Sequence, residues 1–273
     1  MGPAHAGAMT DYLAAILARK RRENARRRRH AAVMRPLERR PEPPRAERAI
    51  HALRRASGDP PSVIAEVKFR SPSAGQIRPW SAGEGVRVAE AYQRGGASVI
   101  SVLADGPAFG GSPLLVRRVA RAVSVPVLYK GFVLDPLQID LAFDVGASLV
   151  LLLVRALEEP ELRSLIGYTR ALGMEPVVEA ANADEVDLAV ALGSTIVGVN
   201  ARDLSTFGVD MDAARAYAAR IPSANVAVFM SGVRTGEDFR AVAQGRADAV
   251  LIGEELMRSE DPGARLAELL RSV

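Results

Sequence analysis

The chain of 273 residues contains no cysteine. Disulfide bridges, thiolate-bound metals and a cysteine nucleophile are therefore excluded. Long apolar segments are also absent, because uninterrupted apolar runs such as Leu149 to Val154 are short, whereas a membrane-spanning helix needs about 20 residues. The start of the chain lacks the basic, apolar and small-residue order of a secretory signal. We expect a soluble, cytoplasmic protein without a membrane partner.

The composition is that of an ordinary globular protein, with 48% hydrophobic and 25% charged residues. The length exceeds that of most single domains, but α/β barrels commonly reach this size as one unit. The sequence can therefore supply one large core, and length alone does not require two catalytic domains.

Positive charge is concentrated at the start of the chain, where residues 1–60 hold 15 Lys and Arg against 6 Asp and Glu. The run Arg26 to Arg29 could neutralise nucleic-acid phosphates. It could equally form the solvent face of an amphipathic helix, since Tyr12, Ile16 and Leu17 precede it at helical spacing. No aromatic residues interleave the arginines to stack on bases. We therefore favour the solvated helix and expect no nucleic-acid partner.

After Pro61 the sequence alternates short β-branched runs with longer helical stretches, which is typical of β/α units feeding a parallel sheet. A spacing of roughly 20 to 35 residues suits one strand, one helix and two loops per unit. We predict an α/β fold, a (β/α)₈ TIM barrel at residues 61–273 preceded by a basic helical extension at residues 1–60. Eight strands and no ninth are expected, at Val63 to Lys68, Ser98 to Leu103, Val125 to Lys130, Leu149 to Leu153, Pro176 to Glu179, Thr195 to Asn200, Val226 to Ser231 and Ala249 to Ile252.

Active sites of such barrels lie at the carboxyl ends of the strands. A charged residue there can simply mark the point where one strand meets solvent. Five strands that all end in polar residues at the same mouth of the barrel favour a functional site instead. The polar residues concerned are Glu66, Lys68, Lys130, Glu179, Asn200 and Ser231, and Gly253 ends a sixth strand at the same place.

The predicted site separates acidic and basic groups. Glu66 and Lys68 stand two apart on one strand and so project from the same face. Lys130 adds a second cation, and Glu179 can act as a base opposite it. The last two strands end in Ser231-Gly232 and Gly253-Glu254, where barrels frequently hold a phosphate against backbone amides.

The run Glu66 to Ser73 resembles the E-x-K-x-x-S-P-S opening of indole-3-glycerol-phosphate synthases. The likeness covers essentially all of residues 10–270, which is too extensive for chance. It continues through Ser101 to Asp105, Phe109 to Ser112, Lys130 to Phe132 with Asp135 and Pro136, Val178 and Glu179, Gly198 to Leu204, Ser231 to Arg234 and Gly253 to Met257.

The resemblance implies a carbon–carbon lyase of tryptophan biosynthesis. Such an enzyme closes the indole ring of 1-(2-carboxyphenylamino)-1-deoxyribulose 5-phosphate with loss of carbon dioxide and water, without a cofactor or metal. By this likeness Lys130 is the general acid on the substrate carbonyl, and Glu179 acts with Lys68 in later proton transfers. Glu66 orients Lys68. A phosphorylated small molecule is the expected partner, and a monomer or weak homodimer the expected assembly.

The resemblance also implies substrate-binding residues. Asn200 and Arg202 would hold substrate hydroxyl and carboxylate groups. Phe109 and Phe132 would pack against the anthranilate ring, although two aromatic residues can also be ordinary core. The phosphate pocket would be formed by Ser71, Ser231, Gly232, Gly253 and Glu254.

Two positions depart from the family pattern. Gly131 stands where an aspartate normally follows the lysine, and Met230 stands where the seventh strand normally ends in glutamate. We expect Met230 to face the reacting ring, although methionine can neither accept a proton nor carry charge.

Three interpretations of these departures stay open. The protein is an ordinary synthase with a tolerated substitution, a paralogue that closes the ring of a modified aryl substrate, or a non-catalytic phosphate-binding barrel. The retained acid, base and phosphate residues argue against the third. Phosphate-binding isomerases of the same fold share only the glycines of the last two strands.

Overall fold

The computed structural model describes residues 4–31, 45–203 and 207–273. Eight parallel strands, β1 to β8, form a closed barrel in sequence order, and β8 pairs with β1. The strands span Ser62–Val67, Val99–Leu103, Val127–Lys130, Leu149–Leu153, Glu175–Ala180, Ile196–Asn200, Val226–Met230 and Ala249–Ile252. All eight predicted strands are confirmed, with ends that differ by at most two residues.

Helices follow the strands and form the outer layer of the barrel. Two precede β1, and short additional helices follow β2, β4 and β8. The α-helices α1 to α12 span Ala4–Ala31, Arg45–Leu53, Ala82–Arg94, Gly106–Phe109, Pro113–Ala122, Pro136–Asp144, Glu159–Ala171, Ala183–Ala191, Met211–Ala218, Gly236–Ala243, Glu254–Arg258 and Pro262–Leu270, and a 3₁₀ turn covers Val154–Ala156. Asp and Ser side chains cap several of them, as where Asp135 accepts a hydrogen bond from the Leu137 N–H at 3.0 Å.

The core has two parts because each strand is covered on both faces. All five residues of β2 are buried. Inward side chains such as Ile64, Leu128 and Val177 fill the barrel, while the alternate residues pack against the helices. The strands thus form a rigid ring from which the residues at their carboxyl ends project.

The loop after β1 contains an element that the sequence analysis did not anticipate. Arg70–Ser71 pairs antiparallel with Gly75–Gln76 to form a small hairpin. This hairpin is separate from the barrel sheet, which has the eight strands expected. Each arm has only two residues, so no apolar alternation marks it, and Gly75 adopts a left-handed turn conformation with φ 65°.

The amino-terminal helix α1 packs on the barrel rather than standing apart from it. Ile16 and Leu17 are buried, and Asn24 donates a hydrogen bond to Gln138 at 2.7 Å. Arg26 to Arg29 are exposed, which agrees with the expected solvent face of the helix. Arg28 nevertheless also donates to Asp135 at 2.7 Å. The basic run therefore helps to fasten α1 to the barrel.

Among the helices of the described ranges, none combines the length and apolarity needed to cross a membrane.

Candidate active site

A cavity of about 400 Å³ opens at the carboxyl ends of the barrel strands. The structure brings nearly all predicted site residues to it, although they come from seven strands or the loops that follow them. Those that line the cavity are Glu66, Lys68, Ser71, Phe109, Lys130, Phe132, Glu179, Asn200, Arg202, Ser231, Gly232, Gly253 and Glu254. Met230 is the predicted site residue that does not line it.

Two carboxylates and two ammonium groups meet at the centre of this cavity. Lys68 Nζ lies 3.0 Å from Glu66 Oε1. Lys130 Nζ lies 3.7 Å from Glu66 Oε2 and 3.7 Å from Glu179 Oε2. Lys130 therefore lies between two carboxylates, and its Nζ atom faces the cavity.

Glu66 is almost completely buried, with 2% of its surface exposed. Burial alone raises the pKa of this carboxyl, but the charges of Lys68 and Lys130 and the hydrogen bond from Lys68 outweigh burial, so the pKa of Glu66 lies below its ordinary value. Glu66 is thus a fixed anion at neutral pH. A Cβ atom at Gly253 would lie 2.7 Å from Glu66 Oε1, so only glycine fits beside this carboxylate.

Glu179 is held differently from Glu66. Its Oε1 accepts a hydrogen bond from Asn200 Nδ2 at 2.9 Å, while Oε2 faces Lys130. Asn200 is fixed in turn, because its Oδ1 accepts the backbone N–H of Arg202 at 3.0 Å. Glu179 therefore has one oxygen anchored and one directed at the lysine, an arrangement suited to proton exchange.

The opposite part of the cavity is built from backbone turns. Ser231 has φ 68° and Gly232 has φ 91°, two consecutive left-handed residues after β7. Turns of this kind can direct successive N–H groups at an anion. Ser71 Oγ accepts the Ala74 N–H at 3.1 Å. Glu254 begins α11 and pairs with Arg258 at 3.0 Å, so its negative charge is partly balanced.

Arg202 also lies at this end. Its Nη1 is 3.5 Å from Ser73 Oγ and 3.3 Å from the Phe207 carbonyl oxygen. Phe207 is one of two non-glycine residues with positive φ among the described residues, the other being Ser231. The guanidinium therefore bridges the loop after β6 and the loop after β1 across the cavity rim.

The remaining wall is apolar. The rings of Phe109 and Phe132 lie with their centroids 5.9 Å apart and their planes tilted by 35°, and Leu151 and Leu153 continue the surface. This wall is large enough to contact a planar aryl ring on one side.

Helix α1 adds three further lining residues that the sequence analysis did not assign to the site: Tyr12, Leu13 and Ile16. In the sequence, Tyr12 and Ile16 show only the apolar spacing of a helix. That spacing indicates that one face is buried, but it does not indicate which part of the barrel the face covers.

Met230 lies apart from the other predicted substrate-binding residues. It has no exposed surface, although its register partners Asn200 and Leu251 both line the cavity. Its side chain turns toward Gly198 within the barrel. Met230 therefore belongs to the apolar floor below the charged centre.

Gly131 does line the cavity. A Cβ atom there would lie 3.5 Å from the Tyr129 ring and 3.7 Å from Ala104 Cβ, which are ordinary contacts. The position therefore has room for a side chain. Within the described ranges, no three or more His, Asp or Glu residues are grouped so that they could hold a metal ion.

Known proteins of one family match most of the chain. The family model described as "Indole-3-glycerol phosphate synthase" matches residues 13–269. The indole-3-glycerol phosphate synthase of Mycobacteroides abscessus is 46% identical over 209 residues, covering 77% of this chain and 76% of the relative. That of Mycolicibacterium vanbaalenii is 45% identical over 221 residues, covering 81% and 80%.

Solved structures of other proteins share the fold at low sequence identity. "KGPDC" from Streptococcus mutans matches with a TM-score of 0.61 at 11% identity, over 78% of this chain and 97% of that one. The thiamine phosphate pyrophosphorylase of Pyrococcus furiosus matches with a TM-score of 0.57 at 15% identity, over 77% and 94%. These two likenesses bear on the barrel architecture alone.

Proposed function

Since the chain belongs to the indole-3-glycerol phosphate synthase family, we propose that the cavity at its barrel mouth is where it closes the indole ring. The enzyme is a carboxy-lyase of tryptophan biosynthesis that acts on a phosphorylated substrate. The substrate is 1-(2-carboxyphenylamino)-1-deoxyribulose 5-phosphate. The observation that carries the assignment of the site is the position of Lys130 between Glu66 and Glu179, 3.7 Å from each carboxylate.

Lys130 acts as the general acid in ring closure. The ring carbon that bears the carboxylate attacks the substrate carbonyl carbon, and the carbonyl oxygen takes a proton from the Lys130 ammonium. The Glu66 and Glu179 carboxylates lie 3.7 Å from the Lys130 Nζ atom and fix its position in the cavity. Carbon dioxide then leaves, and its bonding electron pair restores the aromatic ring.

Glu179 acts in the dehydration that follows. The hydroxyl group departs as water with a proton from Lys68, and Glu179 takes the proton of the neighbouring carbon. Asn200 supports this role because it holds one Glu179 oxygen at 2.9 Å and leaves the other free to face the reaction. Glu66 stays ionised and orients Lys68, which it contacts at 3.0 Å.

The two ends of the substrate bind at the two ends of the cavity. The phosphate lies against Ser71 and the turns at Ser231-Gly232 and Gly253-Glu254, where backbone N–H groups can hold an anion. The aryl ring lies against Phe109 and Phe132. Asn200 and Arg202 bind polar groups of the substrate between these ends.

We further propose that residues 1–60 form an extension and residues 61–273 the catalytic barrel, in a monomer or weak homodimer of the cytoplasm. In support, β1 begins at Ser62. The extension is still functional in this proposal, because α1 supplies part of the cavity wall.

A second candidate keeps the same chemistry but changes the aryl substituent. It is favoured by one observation, the apolar floor that Met230 forms where the family pattern has a glutamate. An apolar, polarizable surface suits a less polar ring.

The test of the proposed function is incubation of the protein with the carboxyphenylamino-deoxyribulose phosphate while the fluorescence of the indole product is followed. We expect continuous formation of indole-3-glycerol phosphate. Absence of product with the standard substrate, together with turnover of a ring-substituted one, would establish the second candidate instead.

A further inference from the structure

Asp105 follows β2 and is buried, with 1% of its surface exposed. Its two carboxylate oxygens each contact a cation of α1. Arg19 Nη2 lies 2.8 Å from Oδ1, and Lys20 Nζ lies 2.8 Å from Oδ2. Glu23 contacts the same two cations at 3.4 and 2.9 Å. This cluster of two cations and two anions joins α1 to the barrel mouth.

The segment of α1 just before the cluster lines the cavity. Ile16 lies one helical turn before Lys20, and Tyr12 and Leu13 lie about one turn earlier. All three face the cavity. They pack in the same apolar cluster as Phe109 and Phe132. The contact between Asp105 and α1 therefore fixes the part of α1 that completes the apolar wall.

Asp105 also holds the other side of that wall. It is the N-cap residue of α4, and its carbonyl oxygen accepts the Gly111 N–H at 2.9 Å. Its side chain makes no capping hydrogen bond to α4, because the carboxylate is directed to α1. Helix α4 ends at Phe109, whose ring lies beside that of Phe132. A single residue thus connects the two elements that enclose the apolar end of the cavity.

We propose that Asp105 is a positioning residue that sets the affinity of the site for the aryl part of the substrate. The inference rests on the proposed function, which places the aryl ring at this end. Removing the buried carboxylate leaves Arg19 and Lys20 near one another with only Glu23 as a counter-charge, and an uncompensated buried charge is strongly unfavourable. The amino-terminal part of α1 then moves off the wall, while the Lys130 centre on β3 stays in place.

A matched control exists on the same helix. Arg28 pairs with Asp135 at 2.7 Å and lies eight residues beyond Lys20, about 12 Å along the helix. It does not line the cavity. Arg28→Gln therefore removes one ion pair of α1 without disturbing the aryl wall.

The experiment compares kcat and KM of Asp105→Asn and Arg28→Gln with those of the wild type. We expect Asp105→Asn to raise KM at least about 10-fold with kcat within about threefold, because uniform binding is lost while the chemical step is kept. Asp105→Glu should recover most of the affinity. Arg28→Gln should leave both constants within about twofold. Equal effects of Asp105→Asn and Arg28→Gln on KM would overturn the proposal.

Amide hydrogen exchange gives a second readout that does not depend on turnover. Exchange over residues 12–20 should accelerate in Asp105→Asn and stay unchanged in Arg28→Gln. If Asp105→Asn does not fold, Lys20→Met tests the same ion pair from the helix side. A wild type without turnover refutes the proposed function, whereas unchanged exchange in both cluster variants refutes the positioning role. Faster exchange with an unchanged KM also refutes it.

Discussion

The Cε atom of Met230 fills the space that a side chain on Gly198 would need, since a Cβ atom on Gly198 would lie only 2.6 Å from it. Gly198 belongs to β6 and Met230 to β7, and both lie in the barrel wall below the charged centre. The methionine is therefore accommodated by a specific neighbour, and the floor of the site depends on this pair.

Gly198→Ala should destabilise the protein, because Met230 must leave its position or the strands must separate. Overpacking of this kind costs about 1 to 3 kcal/mol. Urea unfolding at constant temperature measures the loss. The control is Gly167→Ala, in the middle of α7, where a Cβ atom meets nothing within 4 Å. That substitution should be neutral or stabilise by up to about 1 kcal/mol, and equal destabilisation by both variants would contradict the packing argument.

Met230→Glu should raise kcat on the standard substrate about 10-fold, or about 1.4 kcal/mol of transition-state stabilisation. Its register partners Asn200 and Leu251 line the cavity, so a glutamate side chain at this position can turn upward into it. The control is Met230→Gln, because glutamine has the shape of glutamate without its charge. If the pocket has been rebuilt for another ring, the new carboxylate stays desolvated, its pKa rises and no gain appears. Strong wild-type activity that Met230→Glu leaves unchanged would make Met230 a neutral packing residue.

Lys130→Ala should lower kcat at least about 100-fold with the fold intact, because the proposed proton donor to the substrate carbonyl is lost. Stopped-flow or steady-state fluorescence measures the rate, and circular dichroism checks the fold. Lys130→Met retains the length of the side chain and should be equally impaired. A near wild-type rate in either variant would remove Lys130 from the role of general acid.

Glu66 should contribute a pH-dependent share of stability. Its pKa in the folded protein is below the ordinary value of 4.5, so its contribution is fully present above that value and is lost as the pH falls through the folded pKa. The difference in unfolding free energy between wild type and Glu66→Gln should therefore be constant from pH 7 to pH 5 and shrink at lower pH. A difference that grew on acidification would mean that the pKa of Glu66 is raised.

The phosphate end should bind simple anions. Inorganic phosphate and sulfate should act as competitive inhibitors, since backbone N–H groups hold an anion without a counter-charge. Gly232→Ala should raise both the phosphate inhibition constant and KM, because Gly232 has φ 91° and a Cβ atom there would lie 2.9 Å from Met211. Gly167→Ala again serves as the control. Uncompetitive inhibition by phosphate would place the anion elsewhere.

The barrel and most of its site were predictable because their signals are local. Each strand is a short apolar run, and residues such as Glu66, Lys130 and Glu179 sit at strand ends, where the fold brings them together. The position of α1 was not predictable, since the apolar spacing of Ile16 and Leu17 says only that a face is buried. The buried state of Met230 was missed for another reason. Strand alternation predicts that Met230 points into the barrel. Whether its side chain then turns up toward the cavity or sideways toward Gly198 depends on packing between neighbouring strands.

The pairing of β1 with β8 brings together residues 187 positions apart, such as Ser62 and Ala249. Until the last strand has left the ribosome, the growing sheet therefore has two unpaired edges. One is the free edge of β1, and the other is the free edge of the strand made most recently. Open strand edges are templates for pairing with other chains. The step that completes the cavity, by adding Gly253 beside Glu66, is thus also the step that ends the exposure of the nascent protein to aggregation.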